Sequence, residues 1–222
     1  MRNESDRNAG GHTDGIRPPD NWWVRWGKQA FEVAVTACSA PLWGLVLVIV
    51  LLLTWVTSGR PLLFYQVRTG LHSKPFVILK VRTMRTDGGA ASKGLFAEWT
   101  VRDDPRITPL GRCLRRWRLD EIPQMICVLR GDMSLIGPRP EMPNVEATLA
   151  SALPGYAARH LVKPGLTGLC QVSPSYEAFD SMDGLRARLA HDLAYVEHLS
   201  TALDFKILLR TVRVLARGAG VT

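Results

Sequence analysis

LWGLVLVIVLLLTWV, residues 42 to 56, is as apolar as a bilayer interior, and it sits within a longer stretch, Val33 to Gly59, that carries no charged residue. A segment of this kind belongs in a membrane. It follows a long polar leader that shows no small-residue cleavage pattern, so it is expected to stay in the mature protein rather than leave as a signal peptide. Five of the seven tryptophans, Trp22, Trp23, Trp26, Trp43 and Trp55, lie in or beside it, where aromatic rings anchor at headgroup level.

Ser39-Ala40-Pro41 falls inside the apolar stretch, and proline both lacks a backbone N–H and clashes with the preceding turn, so a bend is expected there. After Pro41 about 15 apolar residues remain, which at helical rise reach roughly 22 Å, short of a hydrocarbon core of roughly 30 Å. On this arithmetic neither arm crosses alone. Cations flank both ends, with Arg17, Arg25 and Lys28 before the segment and Arg60, Arg68 and Lys74 after it. A hairpin that enters and leaves on one side satisfies both flanks, and a proline-kinked spanning helix is the alternative.

Lys and Arg number 28 against 20 Asp and Glu, and this net charge of +8 favours anionic partners. Residues 1 to 20 are polar and aperiodic and are expected to be disordered and outside any core. The four cysteines form no C-x-x-C pair, which argues against a zinc site or a disulfide framework. P-loop, G-x-G-x-x-G and H-E-x-x-H patterns are absent, so nucleotide-fold and zinc-hydrolase readings have no footing.

Beyond Gly59, PFVILKVRTM (75–84) reads as a strand with Phe76, Val77, Ile78 and Leu79 buried and with Lys80 and Arg82 emerging on one face. The two cations are either a solvated edge or a pair aimed at phosphate. Asp87-Gly88-Gly89 is expected to turn the chain. Thr108-Pro109 starts a helix carrying Arg112, Arg115, Arg116 and Arg118, and a second helix is expected from Glu121 to about Leu129 with Asp120 as its N-cap. Taken alone, Asp120 is a cap and Glu121 a first-turn acid; the same helix N-terminus would also attract a phosphate. GDMSLIGPRPE (131–141) holds Arg139 between two prolines, and KPGLTG (163–168) offers backbone amides and a lysine at a tight turn. Near the end, Lys206, Arg210, Arg213 and Arg217 recur on one side of a helix whose other side holds Phe205, Leu208, Leu209, Val212 and Leu215. That helix either lies on anionic lipid or packs on the core with its basic face solvated.

Together KVRTM (80–84), DPRITPLGRCLRRWRLDEIPQM (104–125), GDMSLIGPRP (131–140) and KPGLTGLCQV (163–172) closely resemble the bacterial sugar transferases, the monotopic polyprenyl-phosphate phosphoglycosyl transferases. The resemblance covers about residues 25 to 217 and includes Asp192, Tyr195 and Leu203-Asp204. It implies transfer of a sugar 1-phosphate from a UDP-sugar to undecaprenyl phosphate with release of UMP, a Mg²⁺ requirement, and a place on the cytoplasmic face of the bacterial inner membrane, with an anionic phospholipid surface and no nucleic acid as partner. It implies Asp120 as nucleophile and Glu121 as metal ligand or base, the pair together holding the metal, with Lys80, Arg82, Arg115 and Arg139 on phosphate or substrate. It implies a re-entrant helix broken at Ser39 and Pro41, which match the family's adjacent Ser-Pro loosely. Val81 departs from an aromatic more usual there, and Trp117-Arg118 from smaller polar residues. The long multispanning region of larger members is not in the chain, so the small form is the one it resembles. The expected fold is α+β and mostly helical: residues 1–20 a cytoplasmic tail, 21–59 a re-entrant membrane helix hairpin, and 60–222 a catalytic domain with interfacial amphipathic helices and a small β-hairpin.

Overall fold

The computed structural model describes residues 15–85, 104–173 and 181–217. The expected disorder of residues 1–14 and the expected turn at Asp87-Gly88-Gly89 lie outside the described residues. Within the leader, Ile16 packs beside the main core cluster, so the apolar side chain nearest the membrane segment does contribute to the core, contrary to the expectation for residues 1–20.

A wide-wound turn, Trp23–Gly27, leads into α1 (Lys28–Cys38), and after Ser39 the chain continues as α2 (Ala40–Ser58). Pro41 interrupts the backbone ladder, and local donors fill the gap. Ser39 Oγ donates to Val35 O (2.7 Å), the amides of Leu42 and Trp43 both reach Ser39 O (3.0 and 3.1 Å), and Trp43 Nε1 donates to Thr36 O (2.9 Å). Backbone groups satisfied in this way are what a water-free environment requires. The 19-residue α2 has a mean hydropathy of 2.3. At 1.5 Å per residue it is about 28 Å long, longer than the roughly 22 Å expected from the residues after Pro41 and close to the thickness of a hydrocarbon core. Proline is tolerated in the first turn of a helix, which lets α2 start before Pro41. At the far end Thr57 bonds back to Leu53 O (2.8 Å), which carries the helix to Ser58.

Both arms rest on the same body. From α1, Lys28, Glu32 and Thr36 are buried, and from α2, Val50 and Thr54. Val50 packs with Val81 and Leu114. Leu42, Leu45, Val48, Ile49, Leu52, Leu53 and Val56 are left bare on the outer side.

Next comes an antiparallel hairpin of β1 (Leu63–Thr69) and β2 (Pro75–Val81), in which Phe64 faces Lys80, Gln66 faces Ile78 and Arg68 faces Phe76. The second strand is shorter than the expected 75–84, and Met84 keeps only an isolated bridge to Ile107. Ile78 and Leu79 are buried as expected, whereas Val77 is exposed, as is Val67 in register with it.

Thr108 caps α3 (Pro109–Arg116), accepting from Gly111 N at 2.9 Å. The helix stops before Arg118, which takes a left-handed φ of 52° and so is not on α3 as expected. Residues Leu119–Gln124 then wind as a 3-10 helix, and α4 (Met125–Arg130) begins only after them. Pro123 has no N–H to donate and disfavours α geometry at Ile122, which explains why the expected helix from Glu121 starts late. Asp120 is therefore not an N-cap.

The remainder is β3 (Ser134–Ile136), α5 (Pro143–Ala152), a 3-10 helix (Tyr156–Leu161), β4 (Gly165–Thr167) parallel to β3, α6 (Met182–Glu197) and α7 (Thr201–Ala216). The main core joins Ile136, Val162, Val172, Tyr195, Val196, Leu199 and Ile207, and a second cluster packs α5 on α6 through Val145, Leu149, Leu185 and Leu189. Helix α7 buries Asp204 and Ile207 but leaves Phe205, Leu208, Leu209 and Val212 exposed, so its apolar side is not the side that packs on the core. The architecture is α+β and mostly helical, as the sequence implied.

Candidate active site

The inner face of the hairpin carries Lys80, Gln66 and Arg68, since residues in register share a face. It looks onto the 3-10 helix that holds Asp120 and Glu121, each only 7% exposed. Lys80 Nζ lies 3.1 Å from Glu121 Oε1, and Arg139 Nη2 donates to the same oxygen at 2.9 Å. Both cations use Oε1, and among the described residues no hydrogen bond reaches Oε2. Among the described residues no hydrogen bond reaches the Asp120 carboxylate, and Arg115, from the last turn of α3, stands near it with its Nε on Thr83 Oγ1 at 2.9 Å. The structure thus brings Lys80, Arg115, Asp120, Glu121 and Arg139 together.

Arg82 is the exception among the expected phosphate binders. Its guanidinium donates to Ser58 O and to Gly59 O (2.9 Å), closing the C-terminal carbonyls of α2. Its neighbour Lys80 points inward because the strand alternates; Arg82 lies just past the strand's end, where the chain meets α2. The KPGLTG turn is also used differently from expectation. Gly165 N donates to Pro138 O (2.9 Å) and Gly137 N to Thr167 O (2.8 Å), while Lys163 bonds Gln29 on α1. A side chain on Gly137 would sit 2.4 Å from Lys163 O, and one on Gly165 2.0 Å from Gly137 N, so glycine is needed for the two segments to touch.

Burial pushes the Asp120 carboxyl up, and the adjacent Glu121 charge adds to the rise. Burial would raise Glu121 as well, but Arg139, Lys80 and Arg118 outweigh it and hold its carboxyl well below the usual range. Two neighbouring carboxylates are thereby separated: Glu121 is the fixed anion and Asp120 the more basic one. Lys80 and Arg115 are lowered mainly by burial.

Several contributors were not singled out in the sequence. Arg68, lowered to about 10 mainly by burial, lies 3.5 Å from Glu141, which also holds Arg188. Arg159 donates to Asp192 Oδ2 (2.7 Å) and to the main-chain oxygen of Arg139 (2.7 Å), fixing the backbone beneath that arginine. Glu141 ends the Pro-Arg-Pro stretch and Asp192 lies in the terminal block, so both were visible, but their partners Arg68 and Arg159 stand in segments without a motif. Among the described residues no cluster of three or more His, Cys, Asp or Glu is present. Asp120 with Glu121 Oε2 can offer two oxygens to a Mg²⁺ that arrives with a diphosphate, a ligand count in keeping with magnesium sites that share the metal with substrate phosphates.

Two buried carboxylates met by Lys80, Arg115 and Arg139, on a body that carries one long apolar helix, make a site suited to an anionic, phosphate-bearing substrate. A profile of the bacterial sugar transferase family, described as Bacterial sugar transferase, matches residues 23–218, and the chain belongs to that family. It is therefore a transferase. A UDP-glucose:undecaprenyl-phosphate glucose-1-phosphate transferase of Caulobacter vibrioides is 40% identical over 187 residues, 83% of this chain and 68% of its own. An exopolysaccharide production protein of Rhizobium leguminosarum bv. phaseoli is 37% identical over 201 residues, 87% of this chain and 97% of its own. A UDP-N-acetylgalactosamine-undecaprenyl-phosphate N-acetylgalactosaminephosphotransferase of Aeromonas hydrophila is 34% identical, and there the chain spans 44% of the relative.

Proposed function

We propose that the protein transfers a sugar 1-phosphate from a UDP-sugar to undecaprenyl phosphate, in two displacements at Asp120. An Asp120 oxygen attacks the β-phosphorus of the UDP-sugar, the bond from that phosphorus to the bridging oxygen breaks, and UMP leaves with the electron pair. An oxygen of the lipid phosphate then attacks the phosphorus of the phosphosugar-aspartyl group, and the aspartyl oxygen leaves, restoring the carboxylate and yielding the sugar-diphosphate lipid. The observation that carries this reading is the state of Asp120: buried, raised, without a hydrogen bond among the described residues, and outside any capping position. A buried carboxylate that serves no structural bond costs stability, so its retention calls for a chemical role.

Lys80, Arg115 and Arg139 offset the charge that would otherwise keep a carboxylate and a diphosphate apart. Mg²⁺ on Asp120 and Glu121 would supply further charge neutralisation at the diphosphate oxygens. Glu121, pinned by Lys80 and Arg139, keeps those cations in place and has Oε2 to present to metal or to a proton.

Both arms attach to the same catalytic body, α1 with Lys28, Glu32 and Thr36 buried and α2 with Val50 and Thr54 buried and its Ser58 end held by Arg82, which supports a re-entrant hairpin dipping from the cytoplasmic face. The bare apolar side of α7, flanked by Lys206, Arg210 and Arg213, supports its lying on anionic lipid. The test uses purified protein, Mg²⁺, undecaprenyl phosphate and a panel of UDP-sugars, scoring UMP and organic-soluble product. Asp120→Asn should lose both. UMP formed without lipid product would mean hydrolysis, and unchanged transfer by Asp120→Asn would remove the nucleophile assignment.

A further inference from the structure

Arg139 reaches Glu121 from a chain segment that is pinned at nearly every residue. Ser134 N donates to Pro164 O (2.8 Å), Gly137 N to Thr167 O (2.8 Å), Gly165 N to Pro138 O (2.9 Å) and Arg159 Nη2 to Arg139 O (2.7 Å). These bonds all lie within the catalytic body. Two remaining polar groups of the segment, the Ser134 hydroxyl and the Ile136 amide, turn the other way, toward the membrane hairpin. There Glu32 of α1, 5% exposed, takes both: Ser134 Oγ donates to Oε2 at 2.5 Å and Ile136 N to Oε1 at 3.2 Å. Oε1 is also met by Lys28 Nζ at 2.6 Å, and that ammonium lies 3.0 Å from Asp204. The hydroxyl of Tyr195 in turn bridges Asp204 Oδ1 (2.8 Å) and Ile136 O (3.0 Å).

We propose that Glu32 is a positioning residue for Arg139: by holding Ser134 and Ile136 it makes the seating of the membrane hairpin and the placement of the phosphate-facing arginine a single event. A carboxylate carried by the hairpin is the acceptor for a buried strand amide three residues before Arg139. When α1 is displaced, the Ile136 amide loses its partner inside the core and the Ser134 hydroxyl is left with Ile136 O alone (2.9 Å), and the strand pays the cost by loosening. The arginine then leaves Glu121 and the donor diphosphate. An enzyme built this way completes its charge cradle only when its hairpin is in place, so that chemistry is confined to molecules seated at the lipid surface.

The experiment has two arms. In the first, hydrogen exchange of the full-length protein in lipid nanodiscs is followed over residues 134–141 for Glu32→Ala and for Ser134→Ala, which leaves the Glu32–Lys28 pair intact. Both should raise exchange in that segment relative to wild type. Unchanged exchange in both would overturn the assignment. Should Glu32→Ala fail to fold, Glu32→Gln together with Ser134→Ala carries the same test. The second arm, which rests on the proposed transfer reaction, is a double-mutant cycle on kcat/KM for UDP-sugar. Glu32→Ala should cost about tenfold to hundredfold, the scale of a misplaced contact group. Glu32→Ala combined with Arg139→Ala should be no worse than Arg139→Ala alone. Losses that multiply would show Glu32 acting apart from Arg139 and would overturn it. The exchange arm uses no substrate, so its outcome is separable from the fate of the reaction itself.

Discussion

Asp120 and Glu121 are adjacent and chemically alike, yet their surroundings drive them in opposite directions, because two cations converge on one oxygen of Glu121 and none bonds Asp120 among the described residues. Removing Lys80 as Lys80→Met should therefore act through both carboxylates, lowering kcat/KM for UDP-sugar by about a hundredfold, the scale of one lost charge-stabilising donor, as measured by UMP release. Arg82→Gln should behave in the reverse manner. Its bonds go to the end of α2, so it should lower the melting temperature, by the equivalent of about 1–3 kcal/mol for lost charged hydrogen bonds, while KM for UDP-sugar stays put. The sequence put Lys80 and Arg82 on one strand face with a shared role. Separating them needed the strand's actual end at Val81 and the position of Ser58, neither of which is encoded in local alternation.

At the scale of elements, what local chemistry controls was legible: the Thr108-Pro109 start of α3, the buried Ile78-Leu79 pair and the break at Ser39 were all readable from side chains near in sequence. The first strand of the hairpin and the partners of Glu141 and Asp192 were not, because they depend on pairing between distant segments. The late start of α4 shows the limit from another side: Pro123 fits a first helical turn by pattern, but it converts residues 119–124 to a 3-10 helix and takes Asp120 out of its cap. The 3-10 helix Tyr156–Leu161 carries a further consequence. His160, pressed against Glu146, is pushed down to about 3, first by burial and then by Arg159. The folded protein thus refuses a proton that the unfolded chain accepts near 6.5, and stability falls as pH drops from there toward 3. The slope contributed is at most about 1.4 kcal/mol per pH unit. Burial raises Glu146, which takes up a proton early in the native state and offsets part of that slope at the acid end. His160→Asn should flatten the fall in melting temperature below pH 6.5 relative to wild type, by thermal denaturation in detergent.

Over the whole molecule, α2 and α7 both leave apolar side chains bare, the surfaces that the proposed function places on lipid, and the buried site lies against the α2 side through Val81, Leu114 and Leu119. Single cysteines placed before Trp22 and after Gly59, with Cys38 and Cys113 replaced, should both react with an impermeant maleimide in inside-out vesicles; a spanning α2 would leave one of them unlabelled. Cys127 and Cys170 are buried, and burial pushes their thiols up, the latter to about 12, so they should stay silent until the protein unfolds. The central claim is that Asp120 carries the sugar phosphate between donor and acceptor. Its most direct test is to incubate the enzyme with Mg²⁺ and UDP-sugar but no lipid, and to read intact mass, peptide mass and UMP together. A mass increase of one sugar phosphate on the peptide holding Asp120, matched by one UMP per enzyme, is the predicted result; UMP that appears only when undecaprenyl phosphate is added, with no adduct at any stage, would contradict it.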